Sequence, residues 1–91
     1  MGKVIAIDFD GTCTLKSIYP NIGLPNKKVL NKIKELKENG HRIILWTCRS
    51  GRHLQAAETW LKNKGIELDG TNIDIKGISD SPKIYADIYL D

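Results

Sequence analysis

The sequence predicts a single α/β domain, residues 1–91, with a parallel sheet between helices in a three-layer α/β/α arrangement. Segments with the pattern of buried strands alternate with segments of helical period, an order typical of parallel sheets that carry helices on both faces. The polar residues that stand out follow the apolar strands, at the edge where such sheets bind their ligands. A chain of 91 residues is long enough for one domain but short for two.

The first strand is predicted over residues 3–9, because Val-Ile-Ala-Ile is a nearly continuous, β-prone run of the kind that is buried on both faces of a sheet. Residues 10–12, Asp-Gly-Thr, end this strand with a turn signal. Residues 13–25 have no helical period and contain two prolines and a glycine, so we expect a loop or a small flap there.

The first helix is predicted to begin after Asn26, which is of the N-cap type, and to end at Asn39-Gly40. Its apolar residues recur at helical spacing: Val29, Leu30, Ile33 and Leu36. A second buried strand over residues 41–47 follows, and then a loop at 48–52.

The second helix carries Leu54, Ala57 and Leu61 on one face and ends before Gly65. The pattern weakens after it, and we expect a short strand near residues 66–68 followed by a loop. Residues 81–83, Ser-Pro-Lys, resemble a short helical start, and residues 86–90 a final strand.

Composition excludes several classes of protein. The chain has no apolar run long enough to span a bilayer and no pattern of a secretory signal, so we expect a cytoplasmic location without membrane contact. Its two cysteines, Cys13 and Cys48, cannot form a disulfide framework; they are either neighbours at the site or two unrelated thiols. The net charge of +3 suits an anionic substrate, but it does not separate a phosphate ester from a nucleic acid.

The strongest chemical signal is the pair Asp8 and Asp10 at the end of the first strand. Two acids at positions i and i+2 of an extended chain point to the same side and can reach one pocket. One carboxylate can attack phosphorus, and the other can protonate the leaving oxygen and later deprotonate a water. Two acids this close also call for a cation, and Mg²⁺ prefers such oxygen ligands.

Three further residues extend the pattern along the chain: Thr47 after the second strand, Lys83 ahead of the last strand, and Asp91 after it. Together with Asp8-Phe9-Asp10-Gly11-Thr12, they resemble the four motifs of the haloacid dehalogenase superfamily in its two-aspartate phosphatase form. That resemblance implies a Rossmann-like fold. Asp87 competes with Asp91 for the last motif, but it lies at the wrong end of its strand.

The resemblance implies a catalytic role for each motif residue. Asp8 would be the nucleophile that forms an aspartyl-phosphate, and Asp10 the general acid and base. Thr47 would hydrogen-bond the phosphoryl group, and Lys83 would neutralise its charge. Asp8, Asp10 (through its backbone carbonyl) and Asp91 would hold Mg²⁺.

The expected substrate-binding residues are Gly11 and Thr12 of the first motif and Arg49 in the loop after Thr47. A guanidinium fork in this loop suits a second anionic group of the substrate, and the alternative for Arg49 and Arg52 is a solvated loop arginine.

Members of the superfamily usually carry a cap domain, for which residues 13–25 are too few. A capless site implies a large phosphorylated substrate, such as a nucleic-acid end, a nucleotide or a phosphoprotein, or a partner chain that acts as a lid in an oligomer. The function expected is therefore a magnesium-dependent phosphatase. Two alternatives stay open, a phosphotransferase of the same fold and a non-catalytic phosphate- or metal-binding module.

Overall fold

The computed structural model describes residues 2–72 and, for the backbone alone, residues 88–90. Along the chain it contains β1 (Val4–Ile7), α1 (Lys27–Glu38), β2 (Arg42–Leu45), α2 (Gly51–Asn63), β3 (Gly70–Thr71) and β4 (Ile88–Leu90). The alternation of strands and helices confirms the predicted α/β class. The predicted helical start at 81–83 lies outside the described residues.

The four strands form one parallel sheet in the order β3-β2-β1-β4. In this register Ile7 lies opposite Leu45 on one side and Leu90 on the other. The chain therefore builds β2 and β3 outward on one side of β1 and returns to place β4 on its other side. The strand order reverses at the carboxyl end of β1, where sheets of this kind bind ligands.

Both described helices pack on the same face of the sheet. Ile5 and Ile7 of β1 point to that face, because alternate residues of a strand point to opposite sides. They form a buried cluster with residues of β2, α1 and α2, among them Ile43, Leu45, Leu30, Ile33, Ala57 and Leu61. Two successive right-handed crossovers that advance in one direction place their helices on one face in this way.

The opposite face of the sheet has a smaller cluster of Val4, Ala6 and Ile44, against which Trp46 packs. The sequence predicts helices on both faces of the sheet. The two helices among the residues that the structure describes confirm this prediction for one face.

Helix α1 begins and ends where its local signals predict. The side chain of Asn26 accepts a hydrogen bond from the backbone N–H of Val29 at 3.5 Å, which satisfies one of the free donors at the helix start. At the other end Gly40 has a φ of +87°, and the N–H groups of Gly40 and His41 donate to the carbonyls of Lys37 and Leu36. This paired arrangement is a Schellman motif, which requires a left-handed residue that glycine supplies without strain.

Helix α2 ends in the same way, and its ending explains why the predicted strand at residues 66–68 is wrong. Gly65 is left-handed with a φ of +83°, and the N–H of Ile66 donates to the carbonyl of Leu61 at 3.0 Å. Because that N–H closes the helix and the Ile66 side chain is buried in the core, Ile66 belongs to the helix end and not to the sheet. The third strand forms later, at Gly70–Thr71.

Residues 13–25 form a small antiparallel flap, as the sequence predicts. Isolated bridges join Thr14 to Pro25 and Ile18 to Asn21. Backbone N–H groups of Leu15 and Asn26 donate to the carbonyls of Leu24 and Cys13, both at 2.9 Å. The described large apolar side chains that are most exposed all belong to this flap: Leu15, Ile18, Tyr19 and Leu24.

Among the described residues, no helix has the length and apolar character that a membrane span requires.

Candidate active site

The candidate site lies at the carboxyl edge of the sheet, where β1 and β2 end side by side. Asp8 follows β1 and Thr47 follows β2, and the backbone N–H of Trp46 donates to the carbonyl of Ile7 at 2.8 Å, which holds the two strand ends together. Asp8, Thr47 and Cys48 border two adjoining cavities of about 280 and 350 Å³. The larger cavity is also lined by Asp10, Ser17, Tyr19 and Arg49. The predicted convergence of Asp8, Asp10 and Thr47 is thus present in the fold.

Asp10 forms a two-pronged ion pair with Arg49. The Arg49 Nε donates to Asp10 Oδ2 at 2.8 Å, and Nη2 donates to Oδ1 at 2.7 Å. The Asp10 side chain is 17% exposed and the Arg49 side chain 1%, so the pair is largely withdrawn from water. The hydrogen bonds to Asp10 raise the pKa of the Arg49 guanidinium above its ordinary, already high value.

Arg49 also reaches the flap and helix α2. Its Nη1 donates to the carbonyls of Pro20 at 3.1 Å and His53 at 3.4 Å, and its Nη2 donates to the carbonyl of Asn21 at 2.9 Å. The guanidinium carbon lies 5.1 Å from the centre of the Phe9 ring and 5.0 Å from that of Tyr19.

Arg49 is therefore not the solvated loop residue that the sequence leaves open as the alternative to a substrate contact. It is 2% exposed, and each of its five N–H groups takes part in a hydrogen bond within the chain. Its contact with a second anionic group of the substrate stays a prediction, and the full set of hydrogen bonds within the chain does not favour that contact. Arg52, by contrast, is exposed in the first turn of α2.

Thr47 is held in place by Asn72, a residue that the sequence analysis missed. The Asn72 amide accepts from the N–H of Thr47 at 2.8 Å and donates to its carbonyl at 2.9 Å, so it pairs with both backbone groups of Thr47. The Thr47 hydroxyl accepts from the N–H of Arg49 at 3.2 Å, and its own hydrogen can be donated to an anion in the cavity. Asn72 directly follows β3, just as Thr47 closely follows β2. This position after a strand is the sequence signal that could have identified Asn72 as a site residue.

The turn after β1 uses Gly11 and Thr12 for structure. Gly11 has a φ of +82°, and its N–H donates to the hydroxyl of buried Thr14 at 3.0 Å, whereas the N–H of Thr12 donates to the carbonyl of Phe9 at 3.2 Å. Neither residue is among the described residues that line the two cavities. Their predicted contact with substrate stays a prediction.

The two cysteines are both free thiols, and they differ in environment. Cys13 is fully buried below the site, where its Sγ lies 3.4 Å from the carbonyl of Asp8. Burial, together with the nearby carboxylates of Asp8 and Asp10, raises the pKa of Cys13 to about 12. Cys48 is exposed and borders both cavities.

The predicted phosphate-binding Lys83 and the predicted metal ligand Asp91 lie outside the described residues, as does Asp87. Within the described part, no group of three or more His, Cys, Asp or Glu side chains is arranged to hold a metal ion. Among the described residues that line the site, Asp8 and Asp10 carry carboxylate oxygens, the type of metal ligand that Mg²⁺ prefers.

Comparison with known proteins identifies one informative relative. A scan against protein-family models found no match, and a search of curated proteins found none either. Among solved structures, a conserved protein coded by a locus from Bacteroides thetaiotaomicron superimposes with a TM-score of 0.90 at 34% sequence identity. The match covers 100% of this chain and 76% of that protein. Because identity and coverage are both this high, the chain belongs to the same family as the Bacteroides thetaiotaomicron protein.

Proposed function

We propose that the chain is a magnesium-dependent phosphohydrolase of the haloacid dehalogenase type, which cleaves a phosphomonoester through an aspartyl-phosphate on Asp8. One observation carries the proposal: Asp8 and Thr47, which follow neighbouring strands, border the same cavity at the point where the strand order reverses, and Asp10 lines that cavity with them. The three-layer arrangement of that superfamily and a cytoplasmic location are parts of the same proposal.

The proposed reaction has two steps. A carboxylate oxygen of Asp8 attacks phosphorus, the ester P–O bond breaks, and Asp10 gives its proton to the leaving alkoxide. Asp10 then removes a proton from a water molecule, which attacks the aspartyl-phosphate and releases inorganic phosphate. Thr47 donates its hydroxyl hydrogen to a phosphoryl oxygen, and Lys83 is proposed to balance the charge of that group.

The oxygen donors at the site suit Mg²⁺. Asp8 is proposed to supply a carboxylate oxygen, Asp10 its backbone carbonyl, and Asp91 a second carboxylate. Both carboxylate oxygens of Asp10 bind Arg49, which is compatible with its backbone carbonyl being the ligand. When bound, the cation supplies positive charge that offsets the negative charge of the phosphoryl group and of the two aspartates.

The substrate is proposed to be large, because the flap is the one cover that the described residues provide over the site. A phosphorylated nucleic-acid end, a nucleotide or a phosphoprotein has the chemistry required. An oligomer in which a second chain covers the site belongs to the same proposal.

A second candidate, a phosphate- or metal-binding module without turnover, is favoured by one observation. The Asp10 carboxylate is already paired with a buried arginine, an arrangement that also occurs in structural ion pairs that take no part in chemistry.

Turnover of p-nitrophenyl phosphate with and without Mg²⁺ separates the two candidates. We expect Mg²⁺-dependent release of p-nitrophenol that Asp8→Asn lowers by at least about a thousandfold, since the amide keeps the shape but lacks the attacking anion. Glu67→Gln, which neutralises an exposed acid away from the site, is the matched control and should retain full activity. Near-normal activity of Asp8→Asn would exclude the aspartyl-phosphate mechanism, and inactive wild-type protein would favour the binding module.

A further inference from the structure

The geometry points to Arg49 as a positioning residue that holds the acid Asp10 and the flap, residues 13–25, in one fixed arrangement. The sequence predicts instead that Arg49 contacts the substrate. This inference rests on the proposed function in one respect, the role of Asp10 as an acid. The joining of Asp10 to the flap by Arg49, which we call the clamp, can be tested without turnover.

The first argument is the use of the guanidinium. Two of its five N–H groups bind Asp10, two bind the flap carbonyls of Pro20 and Asn21, and the last binds the carbonyl of His53 in α2. A substrate anion could recruit Arg49 only by breaking bonds that are withdrawn from water, where an unpaired donor or carbonyl costs most. Arg49 is thus better suited to joining parts of the protein than to binding a ligand.

The second argument is the shape of the contact. A planar fork that binds both oxygens of a carboxylate fixes the orientation of the carboxylate plane, whereas a single ammonium group does not. Each carboxylate oxygen has two lone-pair positions, so one on each oxygen stays open to carry the proton. Asp10 is therefore held in one orientation, with one lone-pair position on each carboxylate oxygen not used by Arg49.

The third argument is the position of the flap. The Tyr19 ring packs over the guanidinium from the flap, and the Phe9 ring packs against it from the end of β1. Tyr19 also meets the His53 ring edge-on, with 5.6 Å between the ring centres. The guanidinium is the common neighbour of the flap, the first motif and the start of α2, so a loss of its fork would release all three contacts together.

A positioning role makes a specific kinetic prediction. Glycerol 2-phosphate releases an alkoxide that needs a proton from Asp10, whereas p-nitrophenolate leaves readily without one. In Arg49→Lys, which keeps the charge and loses the fork, we expect kcat/KM for glycerol 2-phosphate to fall about a hundredfold and that for p-nitrophenyl phosphate to fall less than about fivefold. Arg52→Lys, the same substitution at an exposed neighbour, should leave both values unchanged.

The ratio kcat/KM is the informative quantity because it reports the steps up to transfer of the phosphoryl group, before the water step that both substrates share. An equal fall for the two substrates would overturn the positioning role, since a general loss of folded protein or of substrate binding has no preference for the leaving group.

Hydrogen exchange tests the clamp without activity. The amides of Leu15 and Asn26 hold the flap closed, and in Arg49→Lys they should exchange at least about tenfold faster, whereas in Arg52→Lys they should not. Unchanged exchange of both amides in Arg49→Lys would overturn the clamp. If the wild-type protein had no phosphatase activity, the proposed function would be rejected. Faster exchange in Arg49→Lys would support the clamp even then.

Tyr19→Leu provides a second variant in case Arg49→Lys does not fold. Tyr19 is 54% exposed, so its replacement removes the ring over the guanidinium and leaves the buried ion pair in place. The same preferential loss on glycerol 2-phosphate is expected at a smaller size, about threefold to tenfold. A loss in this variant that is equal for the two substrates would again overturn the inference.

Discussion

Cys13 is buried below the candidate site and Cys48 is exposed at its edge, and their surroundings give them opposite reactivity. With a pKa of about 12, Cys13 has on the order of one molecule in ten thousand as thiolate at pH 8, and it is inaccessible as well. Cys48 is exposed at the edge of both cavities, which makes it a natural reporter of their occupancy.

We expect iodoacetamide to label the native protein once, at Cys48, and the unfolded protein twice, as measured by intact mass. Inorganic phosphate should slow the labelling of Cys48, because an anion bound between Asp8 and Thr47 lies beside that thiol. Cys48→Ser is the control and should take up no label in the native state. Labelling of Cys13 before Cys48, or a labelling rate that phosphate does not change, would contradict the site as described.

The burial of Arg49 marks the limit of what the sequence could predict at this scale. Asp8, Asp10 and Thr47 could be predicted because a strand pattern fixes where each residue lies, and parallel strand ends meet at one edge. Three of the four residues that the Arg49 side chain binds are 39, 29 and 28 residues away, and two of these three contribute backbone carbonyls, which carry no sequence signal. Asn72 likewise binds backbone groups, those of Thr47, which is 25 residues away, so the sequence signal for it was its position after β3 and not its partner.

At the scale of elements, Asp69 ties α1, β2 and the approach to β3 together. Its Oδ2 accepts from the N–H of Ile43 at 2.7 Å and from Lys37 Nζ at 2.9 Å, and its own N–H donates to the carbonyl of Ile43 at 2.8 Å. Partial burial alone would raise the pKa of Asp69, but the hydrogen bonds from Ile43 and Lys37 outweigh it, and the pKa is lowered.

A lowered pKa in the folded state makes this contact sensitive to acid. The unfolded carboxyl has a pKa of about 3.9, so the stabilisation is fully present above that value and is lost as pH falls through the lower folded pKa. We expect the difference in free energy of unfolding between wild type and Asp69→Asn to be constant from pH 7 to 5 and to shrink by pH 3. Urea unfolding at each pH measures it.

Lys37→Met provides the control, because the same Asp69→Asn comparison in that background should show a smaller dependence on pH. A difference between wild type and Asp69→Asn that stayed the same from pH 7 to 3 would show that the contact does not favour the ionised form.

Local signals predicted the elements whose boundaries are set locally. Asn26 and Gly40 mark α1 because a cap and a left-handed glycine act on their own helix. The strand β3 was misplaced because only two of its residues pair with β2, through register contacts such as Leu45 with Thr71. The apolar Ile66 and Leu68 that suggested a strand pack on the core from the helix end and the loop after it.

At the scale of the whole molecule, the site is assembled from separate strands and exists only in the folded chain. A cation that binds there stabilises the folded state by mass action, by about 1 kcal/mol at about five times its Kd. For a domain of this size that free energy corresponds to a rise in Tm of roughly 4–8 °C. We therefore expect millimolar Mg²⁺ to raise the Tm measured by scanning calorimetry.

Asp8→Asn should abolish that rise, whereas Asp69→Asn, which alters an acid outside the site, should preserve it. A Tm that did not respond to Mg²⁺ would exclude the proposed magnesium site at Asp8, Asp10 and Asp91.

The ion pair of Asp10 and Arg49 also restricts how this family can diverge. Replacing one member leaves the other charge buried without its partner, which costs about 3–5 kcal/mol in proteins whose whole stability is about 5–15 kcal/mol. A lineage that loses the pair therefore passes through an intermediate close to unfolding, unless both positions change almost together or other substitutions stabilise the fold first. We expect relatives either to keep both residues or to have replaced both. An alignment in which Asp10 and Arg49 were often replaced one without the other would contradict this.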